Sequence, residues 1–174
     1  MQTAPIPYNE KERLAALKEL KILDTKPEGR FDILTKEASI KFNVPIVTVS
    51  IIDADREWFK SRCGLHNKQG SRSTSFCGHI MSNDYILVIE NTLLDSRFAD
   101  NPQVTGKPFI RFYAGVALYN RLRDLPVGVF CIKDIKPRKL TPEDIRTLMD
   151  FANRAEDELN KFLKIKNNFI QIYS

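Results

Sequence analysis

At Pro45 the hydrophobic period of the chain changes, and that change limits what it can fold into. Before Pro45, apolar residues recur at steps of three and four. NEKERLAALKELKIL (9–23) places Leu14, Leu17 and Leu20 at helical spacing, with Asn9 available as a cap. DTKPEGR interrupts that helix, because Pro27 and Gly29 both disfavour continuation. FDILTKEASIKF (31–42) then resumes it, with Phe31, Leu34, Ala38 and Phe42 on one side. After Pro45 the period is two. VTVSIID puts Val47, Val49 and Ile51 on one face, Asp53 to Asp55 supply turn residues, and REWFKSRC returns as the second arm of a hairpin. In that arm Trp58, Lys60 and Arg62 alternate with Phe59, Ser61 and Cys63, which puts Cys63 on the face of an aromatic residue.

The remainder continues the β course. A polar loop, GLHNKQGSRSTS, leads to a short helix around 76–82 and a strand ILVIEN (86–91). A loop of about twenty residues follows, containing Pro102, Gly106 and Pro108; loops of that length in compact domains are commonly functional. FYAGVAL (112–118) and VGVFCIK (127–133), joined by YNRLRDLP, predict an antiparallel pair. TPED (141–144) is a strong helix start, with a hydroxyl cap, proline at the first helical position and acids in the first turn. From there Ile145, Leu148, Ala152, Ala155, Leu159, Phe162, Lys166, Phe169 and Tyr173 follow steps of three and four. The early part of this stripe is expected to lie on the sheet. Beyond about Leu159 it outruns a compact domain, so Leu159, Phe162 and Phe169 are candidates for self-association, set against a frayed tail and against Lys166 within the stripe. The whole reads as an α+β domain: a five- or six-stranded antiparallel sheet with helices before and after it.

With 174 residues, 43% of them hydrophobic, the chain buries one sizeable core and is short for two. Its longest apolar runs fall well below the roughly 20 residues of a membrane span. MQTAPIPYNEKE lacks the basic, apolar and cleavage regions of a signal peptide, so a soluble cytoplasmic protein is expected. Three cysteines, at 63, 77 and 131, argue against a disulfide framework. The net charge is +5, and residues 161–174 carry three lysines and no acid. Such a tail is a solvated helix face before it is a nucleic-acid or membrane contact, and no RNP pattern, paired-cysteine finger or arginine-rich block supports nucleic-acid binding.

Chemistry centres on SRSTSFCGHI (71–80), since the chain has only two histidines and three cysteines. If Ser75 caps the short helix, Cys77 sits in the first turn, where the helix dipole favours a thiolate. On a helix His79 points away from Cys77, and only an extended segment would put them on one face. A C-x-H pair without a second pair at finger spacing is not expected to bind metal. Cys131, between Phe130 and Ile132, reads as a small core residue. Asp53 and Asp55 are turn residues rather than an acid/base pair. In DSRFADNP (95–102), Asp95, Arg97, Asp100 and Asn101 either line a pocket or cap a short helix and form an Asn-Pro turn. There is no GxGxxG, Walker loop, HExxH or GxSxG.

Taken together and in order, RLAALKELKILDTKPEGRFDILTKEA, VPIVTVSIIDADREWFKSRCGL, SFCGHIM, DSRFADNPQVTGKPFIRFYAGVAL and VGVFCIKDIKPRKLTPED resemble the bacterial signalling type of GAF domain. The resemblance implies residues 1–12 as an N-terminal extension, 13–158 as the domain and 159–174 as a C-terminal helical extension. It implies a GAF/PAS-like sheet with the terminal helices on one face, where they often dimerise, and a pocket on the other face closed by the short helix and the long loop. Carried over by position, the pocket residues are Phe76, Cys77, His79, Asp95, Phe98, Asn101, Arg111 and Tyr113. The implied function is non-catalytic sensing of a small molecule of unknown identity, dimerisation, or both, in bacterial signal transduction with a signalling partner protein. Two alternatives stand beside it: a thiol enzyme of the free methionine sulfoxide reductase type using Cys77, with Cys63 or Cys131 as resolving thiol, and a purely structural dimer module. Asn67-Lys68 matches the start of the cyclic-nucleotide motif NK…FxxxDE, but its second half is missing, since no phenylalanine stands four residues before the Asp157-Glu158 step. Gly78 separates Cys77 from His79, where bilin attachment uses adjacent residues, so neither tetrapyrrole nor metal is expected.

Overall fold

A computed structural model describes the backbone of residues 1–82 and 84–173, and side chains as far as Leu163 in the last helix. Two helices come first, α1 (Glu10–Leu20) and α2 (Gly29–Phe42). The β1 (Ile46–Ile52) and β2 (Arg56–Cys63) hairpin follows, then the short strand β3 (Gln69–Ser71). A 3-10 helix, Cys77–Ser82, leads into β4 (Ile86–Ile89). The long loop contains another 3-10 turn, Thr92–Leu94, and the one-turn helix α3 (Pro102–Thr105). The pair β5 (Phe112–Asn120) and β6 (Leu125–Asp134) precedes α4 (Pro142–Tyr173).

Among the described residues six strands form one sheet in the order β3-β2-β1-β6-β5-β4, and every neighbouring pair is antiparallel. The two ends of the chain's β region therefore meet in the middle, where β6 lies between β1 and β5.

Alternation along the central strands divides the interior in two. Val47, Val49 and Ile51 of β1, with Phe112, Ala114 and Val116 of β5 and Phe130 and Ile132 of β6, face the helices and pack on Leu17, Phe31, Leu34, Leu148 and Ala155. The other face carries Ile46, Ile52, Tyr113, Ala117, Val129 and Cys131, covered by Phe76, Cys77, Ile80, Phe98 and Val104 from the 3-10 helix and the long loop. Both faces of β1 are buried, so its alternation separates two interiors instead of core from solvent.

One reading along β2 is corrected. The β1–β2 register shifts between Val49, paired with Ser61, and Ser50, paired with Phe59. This bulge admits Lys60 as an extra residue and reverses the alternation beyond it. Trp58 thus shares the helix-side core with Cys63 instead of opposing it. The bulged Lys60 is used to hold the α1–α2 connection: its Nζ donates to Thr25 Oγ1 at 2.8 Å and Lys26 O at 2.7 Å, and pairs with Glu28 at 2.7 Å.

Helix ends follow the sequence in part. Thr141 Oγ1 accepts from the Asp144 backbone N–H at 3.1 Å, and Asp144 accepts from the Thr141 N–H at 2.8 Å, which closes a reciprocal cap at the start of α4. Asn9 occupies the cap position of α1 but makes no side-chain cap bond. The start of the chain is not free. Gln2 N–H donates to Arg97 O at 3.0 Å, Ala4 N–H to Ser73 O at 3.4 Å, and Ser82 Oγ to Pro5 O at 3.4 Å, so residues 1–7 lie as a strap across the 3-10 helix and the long loop.

Candidate ligand-binding site

The 3-10 helix is set by the hydroxyls before it. Ser75 Oγ accepts the Gly78 N–H at 3.0 Å and starts the turn, as the sequence suggests. Gly78 has no Cβ for a packing reason: one placed there would lie 2.8 Å from the Ala4 Cβ of the strap. Cys77 and His79 point to different surroundings. Cys77 is fully buried against the sheet, where Tyr113 Oη donates to its Sγ at 3.2 Å. Cys77 Sγ lies 3.7 Å from both Ser50 Oγ and Cys131 Sγ. His79 packs instead edge-on against Phe98, 4.7 Å between ring centroids. Burial, with the nearby Arg97 charge, holds the His79 pKa below the usual value, so it is a neutral ring in an aromatic wall.

Four of the eight pocket residues, Phe76, Cys77, Phe98 and Tyr113, come together and are completely buried. Phe76 is stacked between Phe98 at 4.5 Å and Tyr113 at 5.1 Å. Their rings stand in contact on the face where the resemblance places a pocket. Asp95, Asn101 and Arg111 hold the long loop together. Asp95 takes Arg97 in a two-pronged pair at 3.0 and 2.7 Å, and this bond keeps its carboxyl below the usual range. Asn101 caps α3 through Gln103 N–H at 2.9 Å and donates to Thr74 O at 3.0 Å. Arg111 donates to Val104 O and Ile110 O at 2.9 and 3.1 Å.

Beneath the aromatic stack lies a polar cluster that the sequence reading did not assemble. Thr48, Ser50, Glu57 and Lys133 are each at most 2% exposed. Ser50 Oγ donates to Glu57 Oε1 at 2.7 Å, and Thr48 Oγ1 lies 2.8 Å from Ser50 Oγ and 3.0 Å from Cys131 Sγ. Lys133 Nζ stands 5.9 Å from the Phe76 centroid and 6.0 Å from that of Tyr113. Burial pulls the Lys133 pKa down, but the Glu57 charge more than offsets this, so the lysine remains a cation inside the protein. The two thiols diverge. Burial and the neighbouring Cys131 push Cys77 well above its ordinary value. Burial also pushes Cys131 up, but the hydrogen bond from Cys77 and the Lys133 charge outweigh it and bring that thiol below its ordinary value. The first-turn position of Cys77 therefore does not make it a thiolate, because desolvation dominates. The signal available was alternation: Thr48 and Ser50 share one face of β1, and Cys131 and Lys133 share one face of β6.

The dimer-helix candidates separate as well. Leu159 is buried in the helix-side core, whereas Phe162 is 60% exposed with the Arg30 guanidinium 5.3 Å from its ring. Phe169, like Lys166 and Tyr173 of the stripe and most of the basic segment 161–174, lies outside the residues whose side chains are described. Among the described residues no group of three or more His, Cys, Asp and Glu side chains is placed to hold a metal, and no helix is long and apolar enough to cross a membrane.

A sheet with helices on one face and a short helix and long loop closing the other is the arrangement of a GAF domain. The GAF domain family model matches residues 26–159, and the chain belongs to that family. It is 36% identical over 153 residues to a cyclic di-GMP phosphodiesterase of Pseudomonas aeruginosa, a match covering 87% of this chain and 26% of that relative. The chain thus spans about a quarter of that relative's length. In fold it is similar to the GAF domain of an Acinetobacter phosphoenolpyruvate-protein phosphotransferase, with a TM-score of 0.61 and 16% identity over 89% of this chain and 97% of that one. It is also similar to the type II free methionine-R-sulfoxide reductase of Thermoplasma acidophilum, with a TM-score of 0.63 and 13% identity over 84% of this chain and 96% of that one.

Proposed function

We propose that this chain is a non-catalytic regulatory GAF domain of bacterial signal transduction, which senses a small molecule, dimerises, or does both. The observation that carries this reading is the family match over residues 26–159, together with a relative whose other three quarters lie outside the matched region. In that relative, named for cyclic di-GMP hydrolysis, the shared part is a minor fraction of the chain, as suits a module that adjusts an activity housed elsewhere.

The ligand face is the second core, walled by Phe76, Cys77, His79, Phe98 and Tyr113, with Asp95, Asn101 and Arg111 fixing the loop above it. Occupation by a ligand requires the stacked rings of Phe76, Phe98 and Tyr113 to part. Dimerisation is assigned to the exposed Phe162 side of α4. Thermal-shift screening of the chain against nucleotides, cyclic dinucleotides and small metabolites tests the sensing role. A ligand that prefers the native state raises the midpoint by mass action, and Phe98→Ala should abolish that rise. A flat response across the library removes the sensing half of the proposal.

A further inference from the structure

The polar cluster under the aromatic stack contains two thiols set against each other. Cys77 on the 3-10 helix and Cys131 in the middle of β6 are 54 positions apart in sequence, yet their sulfurs lie 3.7 Å from each other. Neither is in a disulfide, and both are fully buried. The third cysteine, Cys63, is half-buried on the helix side of the sheet and belongs to the other core. Packing alone does not ask for this arrangement. A small apolar residue at either position would fill the space, whereas here each sulfur is held by hydroxyls: Tyr113 Oη and Ser50 Oγ at Cys77, and Thr48 Oγ1 at Cys131.

We infer that Cys77 and Cys131 form a redox-active dithiol, a modification site that a hydroperoxide oxidises to an intramolecular disulfide between the 3-10 helix and β6. The geometry assigns the roles. Cys131 shares a face of β6 with Lys133, a buried ammonium that stabilises negative charge, and it accepts a hydrogen bond from Cys77; it is the attacking sulfur. Its thiolate attacks one oxygen of the hydroperoxide. An S–O bond forms, the O–O bond breaks, and the departing oxygen takes a proton to leave as an alcohol or as water, which gives a sulfenic acid at Cys131. Cys77 then attacks the Cys131 sulfur. An S–S bond forms, the S–O bond breaks, and the hydroxide released leaves as water with the proton of Cys77. Two thiols and one hydroperoxide become one disulfide, one alcohol or water, and one water. The sulfurs lose the two electrons that cleave the O–O bond.

The disulfide would clamp the wall of the second core. Cys77 begins the helix that carries His79 and Ile80, and it follows Phe76 at the centre of the ring stack. Tying it to the central strand restrains the movement that admission of a ligand requires. This inference goes beyond the sensing proposal and does not rest on it, because the chemistry needs only the two sulfurs and an oxidant.

The test is to treat the intact, folded chain with hydrogen peroxide, quench by alkylation in denaturant, and read intact mass and linked peptides. The count of free thiols should fall from three to one, with a Cys77–Cys131 linked peptide, a chain lighter by two hydrogens, and full reversal by dithiothreitol. In Cys63→Ser the remaining two thiols should both be lost, and that variant leaves the cluster untouched. Cys131→Ser should stop formation of the linked peptide. The proposal is overturned if all three thiols survive peroxide, if the crosslink contains Cys63, or if Cys77 and Cys131 acquire further oxygens without joining.

Discussion

Buried charge is the most demanding feature at the scale of single residues. Glu57 and Lys133 are both removed from water, and the Glu57 charge offsets the burial of the Lys133 ammonium. Glu57→Gln leaves the ammonium without an opposing charge and is expected to cost about 3 kcal/mol, read as a lower urea midpoint. Combining it with Lys133→Met should recover part of that loss. Gly128 answers to space instead. A Cβ there would stand 2.4 Å from the Ser50 carbonyl oxygen of the neighbouring strand, so Gly128→Ala must push β6 from β1 and is expected to cost about 1–3 kcal/mol. Glu10 gives a pH signature. Burial raises its pKa, but hydrogen bonds from Arg13 and Arg72 bring it down to about 2, against 4.5 for the free side chain. A group depressed in the folded state stabilises above its unfolded value and loses that contribution as pH falls through the folded one. Stability should therefore decline between about pH 4.5 and 2 in urea titrations, and Glu10→Gln should make that decline shallower.

Elements differ in how much of their structure could be read from the chain. The start of α4 was legible because its signal is local: Thr141 and Asp144 satisfy each other three residues apart. Thr141→Ala should lower stability by about 1 kcal/mol in the same titration. The β1 alternation was equally clear, since a period of two survives any tertiary context. The bulge in β2 was not legible, because nothing in REWFKSRC marks Lys60 as the extra residue; its ammonium is claimed by Thr25, Lys26 and Glu28 on another element. The 3-10 helix was placed correctly, but the surroundings of Cys77 depend on four separate segments. A residue-by-residue reading weighed the local helix dipole and had no access to the desolvation that overrides it.

For the whole molecule, the sheet is a partition shared by two interiors. Helices pack on one side and a ring-stacked, polar-floored cluster fills the other. The exposed Phe162 marks where a second copy is proposed to dock. Light scattering should report two chains, and Phe162→Asp should shift the population toward one; an unchanged dimer would place its interface elsewhere. The pocket set was half legible in the same sense. Phe76, Cys77, Phe98 and Tyr113 do meet, but rings of these sizes meeting at 4.5 to 5.1 Å close the space between them, and only coordinates convert a list of neighbours into a filled volume.

Because adjacent residues of β6 serve opposite interiors, the strand behaves as a two-letter code read alternately by each side. Phe130 and Ile132 are read by the helices, and Cys131 and Lys133 by the polar cluster. Insertion or deletion of one residue within 127–133 would exchange the two readings, driving a lysine into the helix-side core and a phenylalanine among the thiols. A change of two residues would keep every side chain on its own face. Length variation in this strand is thus expected to be accepted in pairs, a rule that a deletion and insertion series scored by soluble yield can check directly.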